Sequence, residues 1–192
     1  MRTRRQHPQS HAHHAHAHHA QPGPASSGPP TIGIDIGRVI IAGDGPDTSF
    51  FGHADEAALA TPGVPGAFAA IAELVDAFEQ RAWLVSKCGP KIQRRSMLWL
   101  DHHEFWAKTG VHRTNVRFCL ERRDKAQHAT KLGLTHFVDD RWDVHTHLAG
   151  LVEHLYLFGP QPRREHANLA GLVHAPTWDH VLAHALPTLA VA

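Results

Sequence analysis

The chain has 192 residues, of which 42% are hydrophobic, so it is long enough to form one globular domain with a substantial core. Its formal net charge of +1 gives no overall field that would favour nucleic acid or an acidic membrane, and no apolar stretch approaches the roughly 20 residues of a membrane span. The chain has two cysteines, Cys88 and Cys119, in a domain large enough not to need disulfides, so we expect reduced thiols. No secretory-signal pattern is present near residue 1, and we therefore expect a cytoplasmic location.

Residues 1–30 differ in composition from the rest of the chain. Seven histidines, interleaved with alanine, lie between His7 and His19, and a stretch rich in Pro, Gly and Ser follows them. Neither stretch can bury enough apolar surface to offset the entropy lost on ordering, so we expect a disordered tail. Its imidazole nitrogens can bind Zn²⁺ or Ni²⁺ weakly, and a passive tail is the alternative. Residues 31–192 are predicted to form one α/β domain.

Short apolar runs and helical periods alternate through residues 31–192. The apolar runs predict five strands, at residues 31–36, 82–85, 116–120, 136–138 and 155–158. Apolar residues spaced three or four apart predict helices at residues 67–80, 90–108, 125–132, 144–149 and 177–186, the last with Thr177 in position to cap it. Residues 42–66 are rich in Gly, Pro and Asp and predict a loop with room for one helical turn.

The alternation of strands and helices predicts a central parallel sheet with helices on both faces, which is a Rossmann-like three-layer α/β sandwich. The loop at residues 42–66 is too short to form a globular lid, and one helix and one strand use up the segment from Ser86 to Lys125. We therefore expect a minimal cap or none, and an open site at the carboxyl ends of the strands.

Three of the apolar runs end in residues that can do chemistry. Asp35 ends the first run, Ser86 the second, and the pair Asp139 and Asp140 the fourth, while Lys125 opens a helix. Since the carboxyl ends of parallel strands face one crevice, we expect these side chains to converge. A carboxylate nucleophile, a hydroxyl, an ammonium and a pair of metal-binding acids suit phosphoryl transfer.

The order of these motifs resembles that of the haloacid dehalogenase (HAD) superfamily. The resemblance covers about residues 31–160 and rests on D-x-G after a strand, a strand ending in Ser, a Lys that opens a helix, and a strand ending in Asp-Asp. The segments GRVI, SKCGPK and FVDDR are similar to a small, capless branch of that superfamily. A receiver-type phosphoacceptor domain uses similar groups, but in the opposite order along the chain.

The resemblance implies a role in phosphoryl transfer for several matched residues. Asp35 would attack phosphorus and form an aspartyl-phosphate, while Ser86 and Lys125 would stabilise the charge of the phosphoryl oxygens. Arg38 and Lys87 are further candidates for binding the anionic substrate. That substrate would be a phosphorylated compound, and an open site favours a bulky one.

The resemblance also implies a metal site. Mg²⁺ is a hard cation that prefers oxygen ligands, and at a phosphate site it takes only one or two carboxylates. Its ligands would be Asp35, the main-chain carbonyl of Gly37, and the pair Asp139 and Asp140. Asp143, one helical turn after Asp140, is a candidate to contact the ligands of this site, and an acid that stabilises the start of a helix is the alternative.

Gly37 is a departure from the superfamily pattern. Phosphatases of the family usually carry Asp two residues after the nucleophile, where it protonates the leaving oxygen and later activates water. Glycine cannot transfer a proton, and general acid–base help is worth about 10²–10⁴-fold in rate. Three explanations are open: a substrate with a good leaving group such as an acyl phosphate, another acid or base from the following loop, or a binding module without turnover. The loop candidates are Asp44, Asp47 and His53.

Other interpretations have less support. Carbon–halogen hydrolysis by Asp35 would need no pair of metal-binding acids. Cys88 lies close to the second strand, but no partner residue for a thiolate nucleophile can be assigned from the sequence. His145 and His147 are interpreted as surface residues near the rim of the site.

Overall fold

The computed structural model describes residues 28–43, 55–161 and 169–190. The strands in these ranges are β1 Ile32–Ile34, β2 Ala82–Lys87, β3 Val116–Cys119, β4 His136–Asp139, β5 His154–Phe158 and β6 Leu172–Ala175. The α-helices are α1 Asp55–Leu59, α2 Ala67–Ala77, α3 Pro90–His102, α4 Phe105–Thr109, α5 Lys125–Leu132, α6 Trp142–Leu148 and α7 Trp178–Leu189. Most of the tail predicted to be disordered lies outside the described residues, as do the loop candidates Asp44, Asp47 and His53.

The six described strands are all parallel and form one sheet in the order β3-β2-β1-β4-β5-β6. The predicted Rossmann-like three-layer α/β fold is confirmed, and the described residues include no separate cap. From β1 the chain moves outward in one direction through β2 and β3, and then returns to the other side of β1 to form β4. At such a switch point the loops that follow the two neighbouring strands diverge and leave a crevice. The crevice here lies beyond Ile34 and Asp139, at the carboxyl ends of β1 and β4.

The two faces of the sheet bury separate apolar clusters. Ile32 and Ile34 belong to the larger cluster, which α2, α3 and α7 cover, while α5 and α6 cover the smaller one. Alternation along β1 places Gly33 on the opposite face from Ile32 and Ile34. A Cβ at Gly33 would lie 2.6 Å from Leu134 Cδ1 and 2.7 Å from Phe137 Cδ2, so glycine is required for this close packing. The central strand is thereby enclosed on both faces.

The prediction of a single helix over residues 90–108 is wrong. α3 and α4 are separated at Glu104, which adopts a left-handed conformation with a φ of 56°. Trp99 and Phe105 explain the break, because residues six apart point about 120° apart on a straight helix. The change of direction brings both rings against Phe68, at centroid distances of 6.0 and 5.2 Å. Burial of both rings therefore outweighs the helical hydrogen bonds lost at the break.

The carboxyl-terminal part of the sheet contains a strand that the sequence did not predict. β6 pairs with β5 at the edge of the sheet, and only Ala175 of its four residues is buried, so its apolar signal is weak. Thr177 precedes α7 at the predicted cap position, but its side chain makes no capping hydrogen bond, and its Oγ1 lies 2.9 Å from His180 Nδ1 instead. No helix in the described ranges is long and apolar enough to cross a membrane.

Candidate active site

The carboxyl ends of β1, β2 and β4 bring the predicted site residues together. Asp35 follows β1 directly, Ser86 lies near the end of β2, and Lys125 is the first residue of α5. A cavity of about 170 Å³ opens at this edge of the sheet. The residues predicted for the site that line this cavity are Asp35, Gly37, Arg38, Ser86, Lys87, Lys125 and Asp140. Asp139, the remaining one, does not line it and is fully buried.

Lys125 joins two of the acids. Its side chain is only 2% exposed, and its Nζ donates hydrogen bonds to Asp35 Oδ1 at 2.7 Å and to Asp139 Oδ2 at 2.6 Å. Burial by itself lowers the pKa of the ammonium, but the charges of Asp139 and Asp35 outweigh it, and the net pKa lies above the ordinary value for lysine. Lys125 therefore keeps its proton at neutral pH and fixes the orientation of both carboxylates.

Asp35 lies at the junction of β1 and the cavity. Its amide N–H donates to the Val138 carbonyl at 2.9 Å, which ties the end of β1 to β4, and its side chain accepts a hydrogen bond from the Ser86 hydroxyl. Burial raises the pKa of the Asp35 carboxyl, while Lys125 and Ser86 act against that rise. The residue is thus a buried carboxylate whose charge depends on Lys125, with an opening toward the cavity.

The paired acids at the end of β4 have different surroundings. Asp139 is enclosed: Lys125 donates to its Oδ2, and the Arg141 amide donates to its Oδ1 at 2.9 Å. Asp140 lines the cavity and forms ion pairs with Arg38 and, at 3.7 Å, with Arg141 Nε. Burial raises the pKa of Asp140 to about 6, as do the charges of Asp139 and Asp35, against the opposing effect of Arg38. Asp139 holds Lys125, whereas Asp140 faces the space where a ligand would lie.

The three acids fit a divalent cation with oxygen ligands. Asp35, Asp139 and Asp140 each offer an oxygen, and these oxygens all lie within 4.8 Å of one another. Oxygens that ligate one Mg²⁺ at about 2.1 Å are at most roughly 4.2 Å apart, so shifts below one ångström would bring them to a common ion. Because Asp35 and Asp140 line the cavity and Asp139 does not, Asp35 and Asp140 are the two acids better placed to bind such an ion.

The turn after Asp35 is compact, and it places Gly37 and Arg38 at the cavity. The amides of Ile40 and Ile41 both donate to the Ile36 carbonyl, at 2.9 and 3.1 Å, and Arg38 is left-handed with a φ of 60°. A Cβ at Gly37 would meet nothing within 4 Å, so close packing does not require glycine there. The missing acid at position 37 is consequently a chemical difference and not a steric necessity.

One residue, His145, differs from its interpretation in the sequence, and a second, Cys88, agrees with it. His145 is fully buried and not on the surface; its Nε2 lies 3.0 Å from the Asp139 carbonyl, and burial lowers the pKa of its imidazole to about 4. A neutral imidazole with its proton on Nε2 donates to that carbonyl and supports the end of β4. Cys88 lines the cavity, but burial and the charge of Asp35 raise the pKa of its thiol to about 12. A protonated thiol at neutral pH is not an activated nucleophile.

Two arginines that line the cavity were not predicted as site residues. Arg122 lies in the 3₁₀ turn before α5, and its Nη1 is 3.3 Å from Asp143 Oδ2. Arg141 follows Asp140 directly and lines the same cavity. Their closeness in sequence to Lys125 and to the acid pair is the only signal that could have identified them. Both add positive charge at the wall of the cavity that Asp140 lines.

Fold and site together define an α/β protein of Rossmann-like topology with an acid–lysine cluster at the switch point of its sheet. No protein-family model matches the chain, and no curated protein matches it either. The function of the protein is therefore inferred from the geometry of this cluster and from the chemistry of its residues.

Proposed function

We propose that the protein is a HAD-like hydrolase, a Mg²⁺-dependent phosphatase or phosphotransferase that works through an aspartyl-phosphate on Asp35. The main support is the Lys125 ammonium between the Asp35 and Asp139 carboxylates at the edge of a cavity. A purely structural ion pair needs no cavity beside it, whereas phosphoryl transfer needs an oriented nucleophile and room for the phosphoryl group. We place this activity in the cytoplasm.

In the first step an oxygen of the Asp35 carboxylate attacks phosphorus, and the bond between phosphorus and the leaving group breaks. The leaving group departs with the electron pair of that bond, and Asp35 becomes an aspartyl-phosphate. In the second step the oxygen of a water molecule attacks phosphorus, and the bond from phosphorus to Asp35 breaks. One proton of the water stays on the phosphate, the other passes to solvent, and the carboxylate is regenerated.

The charges around Asp35 favour both steps. Lys125 and the Ser86 hydroxyl offset the negative charge that the phosphoryl oxygens carry in each transition state. Asp35, Asp140 and the Gly37 carbonyl would hold Mg²⁺, with Asp139 as a further ligand once one of its oxygens is released. When bound, the ion would supply additional positive charge beside the phosphoryl group.

Gly37 limits the substrates that such a site hydrolyses well. Without an acid at this position the leaving group departs unprotonated, so acyl phosphates and aryl phosphates are favoured over alkyl esters. For a poor leaving group the rate of hydrolysis falls by about 10²–10⁴-fold, which is the usual contribution of general acid–base catalysis. The substrate is thus a phosphorylated compound with an acidic leaving group, and the open site allows it to be bulky.

Hydrolysis of acetyl phosphate and of 4-nitrophenyl phosphate, with Mg²⁺ and with EDTA, tests the proposal. We expect Mg²⁺-dependent release of phosphate from the native chain and none above background from Asp35→Asn. Asp76→Asn is the matched control, because Asp76 is exposed on α2 and away from the cavity. Activity that survives in Asp35→Asn would refute the mechanism.

Gly37 also favours a second candidate function, a catalytically impaired module that binds a phosphorylated ligand or a protein in the same cavity. Gly37→Asp separates the two candidates, since the structure has room for the side chain. If the variant hydrolyses aryl phosphates and the native chain is silent, the native protein is a binder. Turnover by the native chain excludes the view that it only binds.

A further inference from the structure

A second, larger cavity lies beside the first at the same edge of the sheet. Its volume is about 400 Å³, against about 170 Å³ for the cavity next to Asp35. Arg38 and Asp140, which form an ion pair with each other, line both cavities. The two spaces are therefore neighbours, and a ligand that passes this pair of side chains would reach both.

The wall of the second cavity is mostly apolar and is held in place by the fold. It includes Val64, Pro65, Phe158, Pro160 and Pro176, which come from the segment before α2 and from the ends of β5 and β6. The Val64 amide donates to the Ile40 carbonyl at 2.8 Å, which fixes that segment to the turn after β1. Proline has a restricted backbone, so this wall is largely preformed.

Phe158 forms part of the apolar wall, or floor, of the second cavity. Its ring lies 5.3 Å from the ring of Trp178, and the Trp178 indole donates to the Val39 carbonyl at 3.0 Å. Phe158 is thus packed against a side chain that is itself anchored to the loop carrying Arg38. The floor of the second cavity and the turn at the first one belong to a single packed unit.

Volume and polarity distinguish what each cavity can hold. The cavity at Asp35 is charged and small, which suits a phosphoryl group and a metal ion. Ligand pockets for organic molecules span roughly 300–1,000 Å³ and are mainly apolar with a few polar groups, a description that the second cavity meets. From these features we propose that the second cavity binds the apolar, aromatic body of an organic phosphate whose phosphoryl group lies against Asp35.

This inference rests on the phosphate site of the proposed function, but it requires no turnover. The proposed function allows any phosphorylated compound with an acidic leaving group. The second cavity adds the requirement that this leaving group is apolar and contains one or two rings. Arg38 lies at the boundary between the two cavities, where its guanidinium can contact the face of such a ring.

Calorimetric titration tests the assignment with inorganic phosphate and 2-naphthylphosphonate, each in the presence of Mg²⁺. The phosphorus–carbon bond of the phosphonate cannot be hydrolysed by the proposed mechanism, so the titration reports binding alone. Ala42 lines the second cavity and not the first, so Ala42→Phe fills the second cavity alone. Ala107→Phe is the matched control, because Ala107 is exposed on α4 and lines neither cavity. Thr177→Phe narrows the second cavity from an exposed position whose side chain makes no capping bond, and replaces Ala42→Phe if that variant does not fold.

We expect the native chain to bind 2-naphthylphosphonate at least about tenfold more tightly than inorganic phosphate, since burial of only two methylene-sized groups gives that factor. The advantage should disappear in Ala42→Phe and persist in Ala107→Phe, with the affinity for inorganic phosphate unchanged in both. Equal affinity of the native chain for the two ligands would overturn the inference, as would an advantage that survives in Ala42→Phe. Absence of hydrolysis with this binding pattern intact would reject only the proposed enzymatic function.

Discussion

Replacement of Lys125 by Met tests the centre of the site most directly. The substitution keeps the length of the side chain but removes a buried ammonium that donates to Asp35 and Asp139 at 2.7 and 2.6 Å. Two buried carboxylates then lack their counter-charge, and loss of one partner from a buried ion pair costs about 3–5 kcal/mol. We expect Lys125→Met to lower the free energy of unfolding by that amount at pH 7.5 and to abolish phosphate release.

The pH dependence of this loss follows from the Asp35 carboxyl. Burial raises its pKa, and Lys125 is the main group that opposes the rise, so the pKa rises further in the variant and the folded state favours the neutral carboxyl. A carboxyl with a raised folded pKa costs about 1.4 kcal/mol for each pH unit between its unfolded pKa near 4 and its folded pKa. Below that unfolded pKa the cost vanishes. The destabilisation should therefore shrink to less than about 1 kcal/mol at pH 4.5.

Urea unfolding at pH 7.5 and pH 4.5 measures both quantities, with each variant compared to the native chain at the same pH. Lys131→Met is the control, because Lys131 is exposed on the same helix, α5. If Lys125→Met costs no more than Lys131→Met at pH 7.5, the assignment of Lys125 as the counter-charge of both acids is wrong. An equal cost at the two pH values would refute the linkage to the carboxyl.

Two further predictions concern the body of the fold. Gly33→Ala should lower the free energy of unfolding by about 1–3 kcal/mol, since its Cβ would lie 2.6 Å from Leu134. Gly37→Ala should leave the free energy of unfolding unchanged, because its Cβ would meet nothing within 4 Å. Equal melting temperatures of the two variants would contradict this prediction. His136 is buried, and this burial lowers the pKa of its imidazole to about 3, with a smaller contribution from the charge of the nearby His154. The unfolded chain alone takes up this proton below about pH 6.5, so the contribution of His136 to stability should fall there by about 1.4 kcal/mol per pH unit. His136→Gln should flatten the slope measured by urea unfolding between pH 7.5 and pH 5, and an unaltered slope would disprove the assignment.

The sequence was most informative where one element determines the outcome. Hydrophobic runs and their flanking residues predicted five of the strands, and the helix predicted at residues 125–132 ends there, with Gly133 at a φ of 60° after it. The break at Glu104 and the strand β6 were not predictable in this way. The first depends on Trp99 and Phe105 meeting Phe68 from another helix, and the second on an edge position beside β5 that buries only one residue.

The site shows the same division. By itself, the sequence determined the alternating pattern of the sheet and the order in which Asp35, Ser86, Lys125 and the acid pair follow its strands. Only the tertiary structure decided that Asp139 holds Lys125 while Asp140 faces the cavity, that His145 is buried, and that an apolar cavity adjoins the cavity at Asp35. Periodicity records burial along one element, but the partner of a side chain depends on strand order and register. Lys125 and Asp35, 90 residues apart, meet only because β1 and β4 are neighbours in the folded sheet.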